Sequence, residues 1–191
     1  MTKEEILLDV QGELKKIYET NKDRGMLAVY IWGSILTDDF NPETSDVDTV
    51  AIAEDKIPFE EEREIEKSIH SAWGGRIGFR ILYLSELNGG PKITQLARYV
   101  YPEWLLIDFP YWQHVAGREF KRSDFSMPVM SFKEAAQTQQ TYSNDRFTER
   151  LKNNDFSEFK YFLKGLARLC YFLICSRIGG NPFSYSFLKN N

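Results

Sequence analysis

Two apolar, β-prone runs, Val29-Tyr30-Ile31-Trp32 and Val47 to Ala53, flank a Gly33-Ser34 pair and an eleven-residue polar stretch, 35–45. Runs of this length and composition, bounded by turn residues, read as buried strands. The second run is opened by Asp46 and Asp48, one residue apart. Side chains alternate along a strand, so these two carboxylates project from one side and Val47 from the other. Carboxylates held that close repel each other unless a cation lies between them. Hard divalent ions such as Mg²⁺ or Mn²⁺ take oxygen ligands of this kind, with substrate phosphates completing the shell. Gly33 lets a backbone approach a ligand closely, and Ser34 and its neighbours can offer hydroxyl and N–H donors to phosphate oxygens. The chemistry suggested is metal-assisted handling of a nucleoside triphosphate.

The Val29-Tyr-Ile-Trp-Gly33-Ser34 and Ser45-Asp46-Val47-Asp48 wording resembles the signature of the DNA polymerase β-like nucleotidyltransferase superfamily. Within it, the wording most resembles the aminoglycoside (streptomycin and spectinomycin type) nucleotidyltransferases and their uncharacterised relatives. The resemblance implies an α/β (α+β) fold: a mixed β-sheet core with flanking helices, followed by a helical C-terminal region. It implies a catalytic domain over 1–120 and the helical region over 121–191. Asp46 and Asp48 would be the catalytic pair and the ligands of Mg²⁺ or Mn²⁺. Gly33 and Ser34 would bind the nucleotide. The reaction implied moves a nucleoside monophosphate from NTP to a hydroxyl of a small-molecule acceptor, an aminoglycoside-like compound among the candidates, and releases pyrophosphate.

The chain departs from that pattern in two places. The family normally carries a third carboxylate on the next core strand, facing the first two. Gly75 to Leu87 has the pattern of that strand and its turn, yet 78–83 holds no Asp or Glu, offering Gly78, Phe79 or Arg80 instead. Glu86 lies too far along and reads as a turn or helix N-terminal residue. Because a two-metal site stabilises both attacking and leaving oxygens, losing a ligand weakens chemistry more than nucleotide binding. The connection 35–45 is the second departure: it carries Asp38, Asp39 and Glu43 but no Lys or Arg to meet triphosphate charge. It reads as a solvated acidic loop, or as one that favours a cationic acceptor. These departures keep a second reading open, a catalytically impaired binding module such as the antitoxin-type partner of a helical toxin.

A chain of 191 residues with 42% hydrophobic and 15% aromatic content has enough apolar material for a packed core. Its net charge of −4 argues against nucleic acid as a partner, which needs a basic face, and favours a small-molecule acceptor. Cys170 and Cys175 sit in an apolar helical run and read as free core thiols of a reducing cytosol. No apolar stretch reaches the length of a membrane span, so a cytoplasmic location is expected.

Along the chain, Thr2 to Glu5 has the form of a capping box, and Ile6, Leu7, Val10, Leu14 and Ile17 follow at helical spacing. Gly25 suits a left-handed cap ending that helix. A short helix is expected from Ser34. Pro58 opens another with Ile65 and Ile69 inward, and Gly74-Gly75 ends it. Ile93 to Tyr101 reads as a short helix. Two longer helices, Ser131 to Asn153 and Ser157 to Arg177, meet at Asn153-Asn154-Asp155. The apolar content of the second marks packing against the first or against another subunit, so a homodimer or a helical partner protein is the association expected. The secondary candidates are each read first as structural. His70 is on a charged helix, His114 follows two aromatics, and Arg146 and Arg150 share a helix face. Tyr101, Trp104, Tyr111 and Trp112 read as core, with base stacking as the functional alternative.

Overall fold

The computed structural model describes residues 1–55, 57, 59–72, 75–94, 96–97, 102–152, 159–179 and 184–190. Pro58, Gly74, Tyr101, the junction at Asn153-Asn154-Asp155 and most of the expected 93–101 helix lie outside the described residues, as do the side chains of His70, Arg146 and Arg150. The described residues fall into two compact units, Met1–Val129 and Met130–Asn191.

The first unit is a mixed four-stranded sheet with flanking helices. Helix α1 (Lys3–Asn21) starts at a complete capping box: Thr2 Oγ1 accepts from the Glu5 amide at 3.2 Å, and Glu5 accepts from the Thr2 amide at 2.7 Å. It gives way to a turn that Gly25 ends in left-handed conformation. Strand β1 (Met26–Trp32) follows, then β2 (Val47–Ala53), helix α2 (Phe59–Ala72), strand β3 (Ile77–Tyr83), helix α3 (Pro102–Asp108) and strand β4 (Gln113–Gly117). The sheet order is β3-β2-β1-β4. β1 runs antiparallel to both neighbours and β2 runs parallel to β3, because α2 provides the crossover that a parallel pair needs.

Strand alternation sorts the side chains onto two cores. Val29, Ile31, Ala51, Ile77, Phe79 and Ile81 pack with Ile6, Val10 and Leu14 of α1 and Ile69 of α2. Ala28, Tyr30, Val50, Ile52 and Leu82 face the other way, against Leu105 and Leu106 of α3 and against Phe109, Phe120, Phe125 and Met127. Those last three residues belong to this core, and the unit runs to Val129. Gly117 sits where α1 crosses the sheet: a Cβ there would lie 2.2 Å from the Leu27 carbonyl and 2.7 Å from the Tyr18 ring, so only glycine fits.

The second unit holds α4 (Phe132–Lys152), α5 (Phe159–Ile178) and α6 (Tyr185–Asn190). α4 and α5 pack on each other, with Tyr171 and Phe172 fully buried. Cys175 is buried, but Cys170 is exposed and not a core thiol. Among the described residues, no helix is long and apolar enough to cross a membrane.

Candidate active site around Asp48

β1 delivers Gly33 beside the start of β2. Trp32 is the register partner of Asp48, so the residue after Trp32 must turn immediately next to the Asp48 carboxylate. Gly33 does so at φ +80°, ψ −155°, a backbone region that residues with a Cβ rarely adopt. A Cβ built on it would lie 2.8 Å from Asp48 Oδ2. Chain direction and carboxylate position therefore both demand glycine here. Ser34 then opens a single turn of 3-10 helix, Ser34–Leu36, and its carbonyl accepts from the Thr37 amide at 2.9 Å and the Thr37 hydroxyl at 3.0 Å.

Asp46, Val47 and Asp48 alternate exposed, buried, exposed, with Val47 in the α1 core. Neither Asp46, just before β2, nor Asp48 within it belongs to that core. On the next strand the register partner of Asp48 is Gly78, where a Cβ would lie 3.6 Å from Asp48 Oδ1. Two glycines thus line the Asp48 carboxylate, one from each neighbouring strand. Arg80 pairs with Val50, further along the same face, and its guanidinium ion-pairs with Glu66 of α2. Glu86 lies beyond the opposite end of β3 from Gly78, because β2 and β3 run in parallel. It is fully buried, opening a 3-10 turn (Glu86–Asn88), and accepts from the amides of Tyr83, Ile93 and Thr94 at 2.8, 2.5 and 2.6 Å and from the Thr94 hydroxyl at 2.8 Å. It is a turn residue, as its sequence position suggests. Among the described residues, no three His, Cys, Asp or Glu side chains cluster as a metal site. The donor set at Asp46 and Asp48 is hard oxygen and fits Mg²⁺ or Mn²⁺ only if substrate phosphates complete the coordination.

The row Gly78–Asp48–Trp32 continues to Trp112, just before β4, with the two indole centroids 5.6 Å apart. His114 pairs with Tyr30 on the same face, rings 5.3 Å apart and edge-on. Trp32 Nε1, Trp112 Nε1 and His114 Nε2 are buried and make no hydrogen bond among the described residues. Trp104 is buried in helix α3, while Tyr111 is partly exposed. Trp32 was not singled out from sequence, because its place beside Asp48 is set by strand register.

The connection 35–45 is tied down more firmly than its acidic composition suggests. Phe40 is buried in the α1 core. Asn41 closes a tight turn: its carbonyl accepts from the Ser45 amide at 2.9 Å and its side chain from the Glu43 amide at 2.8 Å. The cations missing from the segment arrive from outside it. Lys3 Nζ donates to the Thr37 carbonyl at 2.8 Å, and Arg76 reaches the Pro42 and Ser45 carbonyls.

No protein-family model matches the chain. No curated protein matches it either. Among solved structures, the chain is similar to spectinomycin adenyltransferase AAD(9) from Enterococcus faecialis, crystallised with ATP and spectinomycin. The TM-score is 0.61 at 13% identity, over 94% of this chain and 79% of that one. A toxin–antitoxin MntA–HpeT mutant structure aligns over 72% of this chain and 98% of that one, at 13% identity and a TM-score of 0.45. A toxin–antitoxin structure with AMP-PNP aligns over 70% and 97%, at 14% identity and 0.42. At 13% identity the likeness to the adenyltransferase is one of fold alone: a mixed sheet with flanking helices, with a helical unit following it in the chain.

Proposed function

We propose that this chain binds a nucleoside triphosphate at Asp46 and Asp48 and transfers the nucleoside monophosphate to a hydroxyl of a small-molecule acceptor. The observation that carries the reading is Gly33, held at positive φ with no room for a Cβ against Asp48 Oδ2. A glycine-only backbone conformation that brings a turn against a carboxylate is the kind of feature a fold retains for a ligand. The similarity to an adenyltransferase solved with ATP and spectinomycin supports the same direction. Asp46 and Asp48 would hold Mg²⁺ or Mn²⁺, which neutralises phosphate charge during an in-line displacement. Gly33 and Ser34 would sit against the phosphates. The unpartnered indole N–H groups of Trp32 and Trp112 would donate to the base or to the acceptor.

In the step itself the acceptor oxygen bonds to the α-phosphorus, the bond to the bridging oxygen of pyrophosphate breaks, and pyrophosphate leaves. The hydroxyl proton passes to water, since β3 presents glycine and not a carboxylate beside Asp48. Catalysis then rests on positioning and charge neutralisation. The test is transfer of radiolabelled NMP from each NTP, with Mg²⁺, to a panel of aminoglycosides and other hydroxyl compounds. Label transfer that Asp48→Ala abolishes supports the enzyme.

Gly78 favours a second reading, a nucleotide-binding module without turnover that acts through a helical protein partner. That reading gains if ATP and Mg²⁺ bind the chain and no acceptor is labelled.

A further inference from the structure

Arg76 touches both sides of Asp46. Its guanidinium Nη2 donates to the Ser45 carbonyl at 3.0 Å and to the Pro42 carbonyl at 2.6 Å. Its own carbonyl accepts from the Val47 amide at 2.8 Å. The residue before Asp46 is thus held by the side chain of Arg76, and the residue after it by the main chain of the same arginine. Sequence neighbours of Asp46 cannot provide this, because 35–45 contains no Lys or Arg. Gly75, at φ +80°, precedes Arg76 and turns the chain into β3, and the guanidinium is half-buried against the 42–45 turn. At the other end of the connection Lys3 takes the Thr37 carbonyl, so the segment is pinned at its two ends by cations from two other elements.

We propose that Arg76 is the positioning residue of the Asp46–Asp48 pair, fixing the backbone on both sides of Asp46 so that the two carboxylates converge on one cation. The proposal rests on the nucleotidyltransferase reading of those aspartates. Asp48 needs no such help, since it is built into β2 with strand partners on both sides. Asp46 precedes the strand, and two charge-assisted bonds to carbonyls replace the ladder it lacks. An unpinned Asp46 would still fold into the loop end but would sample orientations in which only Asp48 meets the ion.

The test is Mn²⁺ titrated into the full chain, with and without ATP, followed by the EPR signal of the free aqueous ion. Arg76→Met removes both carbonyl bonds, and a weakening of Mn²⁺ affinity by about tenfold is expected. Arg76→Lys keeps a cation within reach of the carbonyls and is expected to restore affinity to within about threefold of wild type. Arg76→Gln keeps an N–H donor without the charge and serves if Arg76→Met does not fold; it is expected to fall between the two. Each variant is measured well below its own melting temperature, so lost stability alone does not move the result. Wild-type affinity in a folded Arg76→Met or Arg76→Gln, alongside loss in Asp48→Asn, overturns the positioning role and leaves the site reading intact. No Mn²⁺ binding by wild type in the presence of ATP, or binding indifferent to Asp48→Asn, overturns both.

Discussion

At the scale of single residues, the site is shaped as much by what is absent as by what is present. Gly33 and Gly78 are two positions where an added Cβ would meet the Asp48 carboxylate. Gly33→Ala forces a Cβ against Oδ2 in a backbone region that tolerates it poorly. It is expected to cost about 2 kcal/mol in urea unfolding and to weaken Mg²⁺–ATP binding. Isothermal titration beside the unfolding curve checks both. Gly78 differs, since a Cβ there meets Oδ1 at an ordinary contact distance. Gly78→Asp is therefore expected to fold and to add a third oxygen ligand next to Asp48. The expected outcome is tighter Mn²⁺ binding in the EPR titration. The turn at Gly33-Ser34 and the strand that follows Asp46 were legible in sequence because their signal is local, a turn residue and alternating residues between apolar runs. Trp32, Arg76 and Lys3 were not singled out, because their place at the site is set by register and by contacts to distant carbonyls.

At the scale of elements, β3 is an edge strand, and α2 guards it. The Ile81 amide donates at 3.2 Å to Glu62 Oε1, a carboxylate only 4% exposed, and Arg80 closes the edge further by pairing with Glu66. Burial pushes the Glu62 carboxyl above its usual range. The Ile81 amide and the Arg80 charge pull it back, and the nearby Glu86 charge adds to the rise. A carboxyl whose pKa is raised by folding contributes most below its unfolded pKa, and that contribution is lost as pH rises through the folded value. Glu62→Gln keeps the acceptor for Ile81 and removes the buried charge. Its melting temperature is expected to exceed wild type by about 2 °C at pH 7, with the gap closing as pH falls to 4. Thermal melts across that range decide it.

Glu86 presents the opposite case, a buried carboxylate with four donors that hold the 84–94 segment under α3. Glu86→Ala leaves those donors unpaired and is expected to cost about 3 kcal/mol in equilibrium unfolding. α1, β1, β2 and β3 were legible because each repeats its own period of apolar residues. β4 was not. Gln113–Gly117 is five residues of weak strand propensity, and it forms a strand only because β1 offers an open edge to pair with.

At the scale of the whole molecule, the chain divides into a sheet unit and a helical unit at residues 129–130. Phe120, Phe125 and Met127 fill the face of the sheet opposite α1, and the Tyr30 hydroxyl accepts from the Phe120 amide at 2.9 Å, pinning that segment. A fragment of residues 1–129 is expected to unfold cooperatively in urea, whereas residues 1–120 expose that face and are expected to lose cooperativity or aggregate. Circular dichroism with size-exclusion chromatography separates these outcomes. The amino-acid sequence by itself determined the mixed sheet flanked by helices, the helical region that follows, and the residues at the turn between β1 and β2. Local periodicity and turn chemistry are written in consecutive residues. Only the tertiary structure decided that Gly78 is the neighbour of Asp48, that Trp32 and Trp112 extend the same row, and that Arg76 grips both sides of Asp46. Those relations depend on strand order and register, which long-range packing fixes.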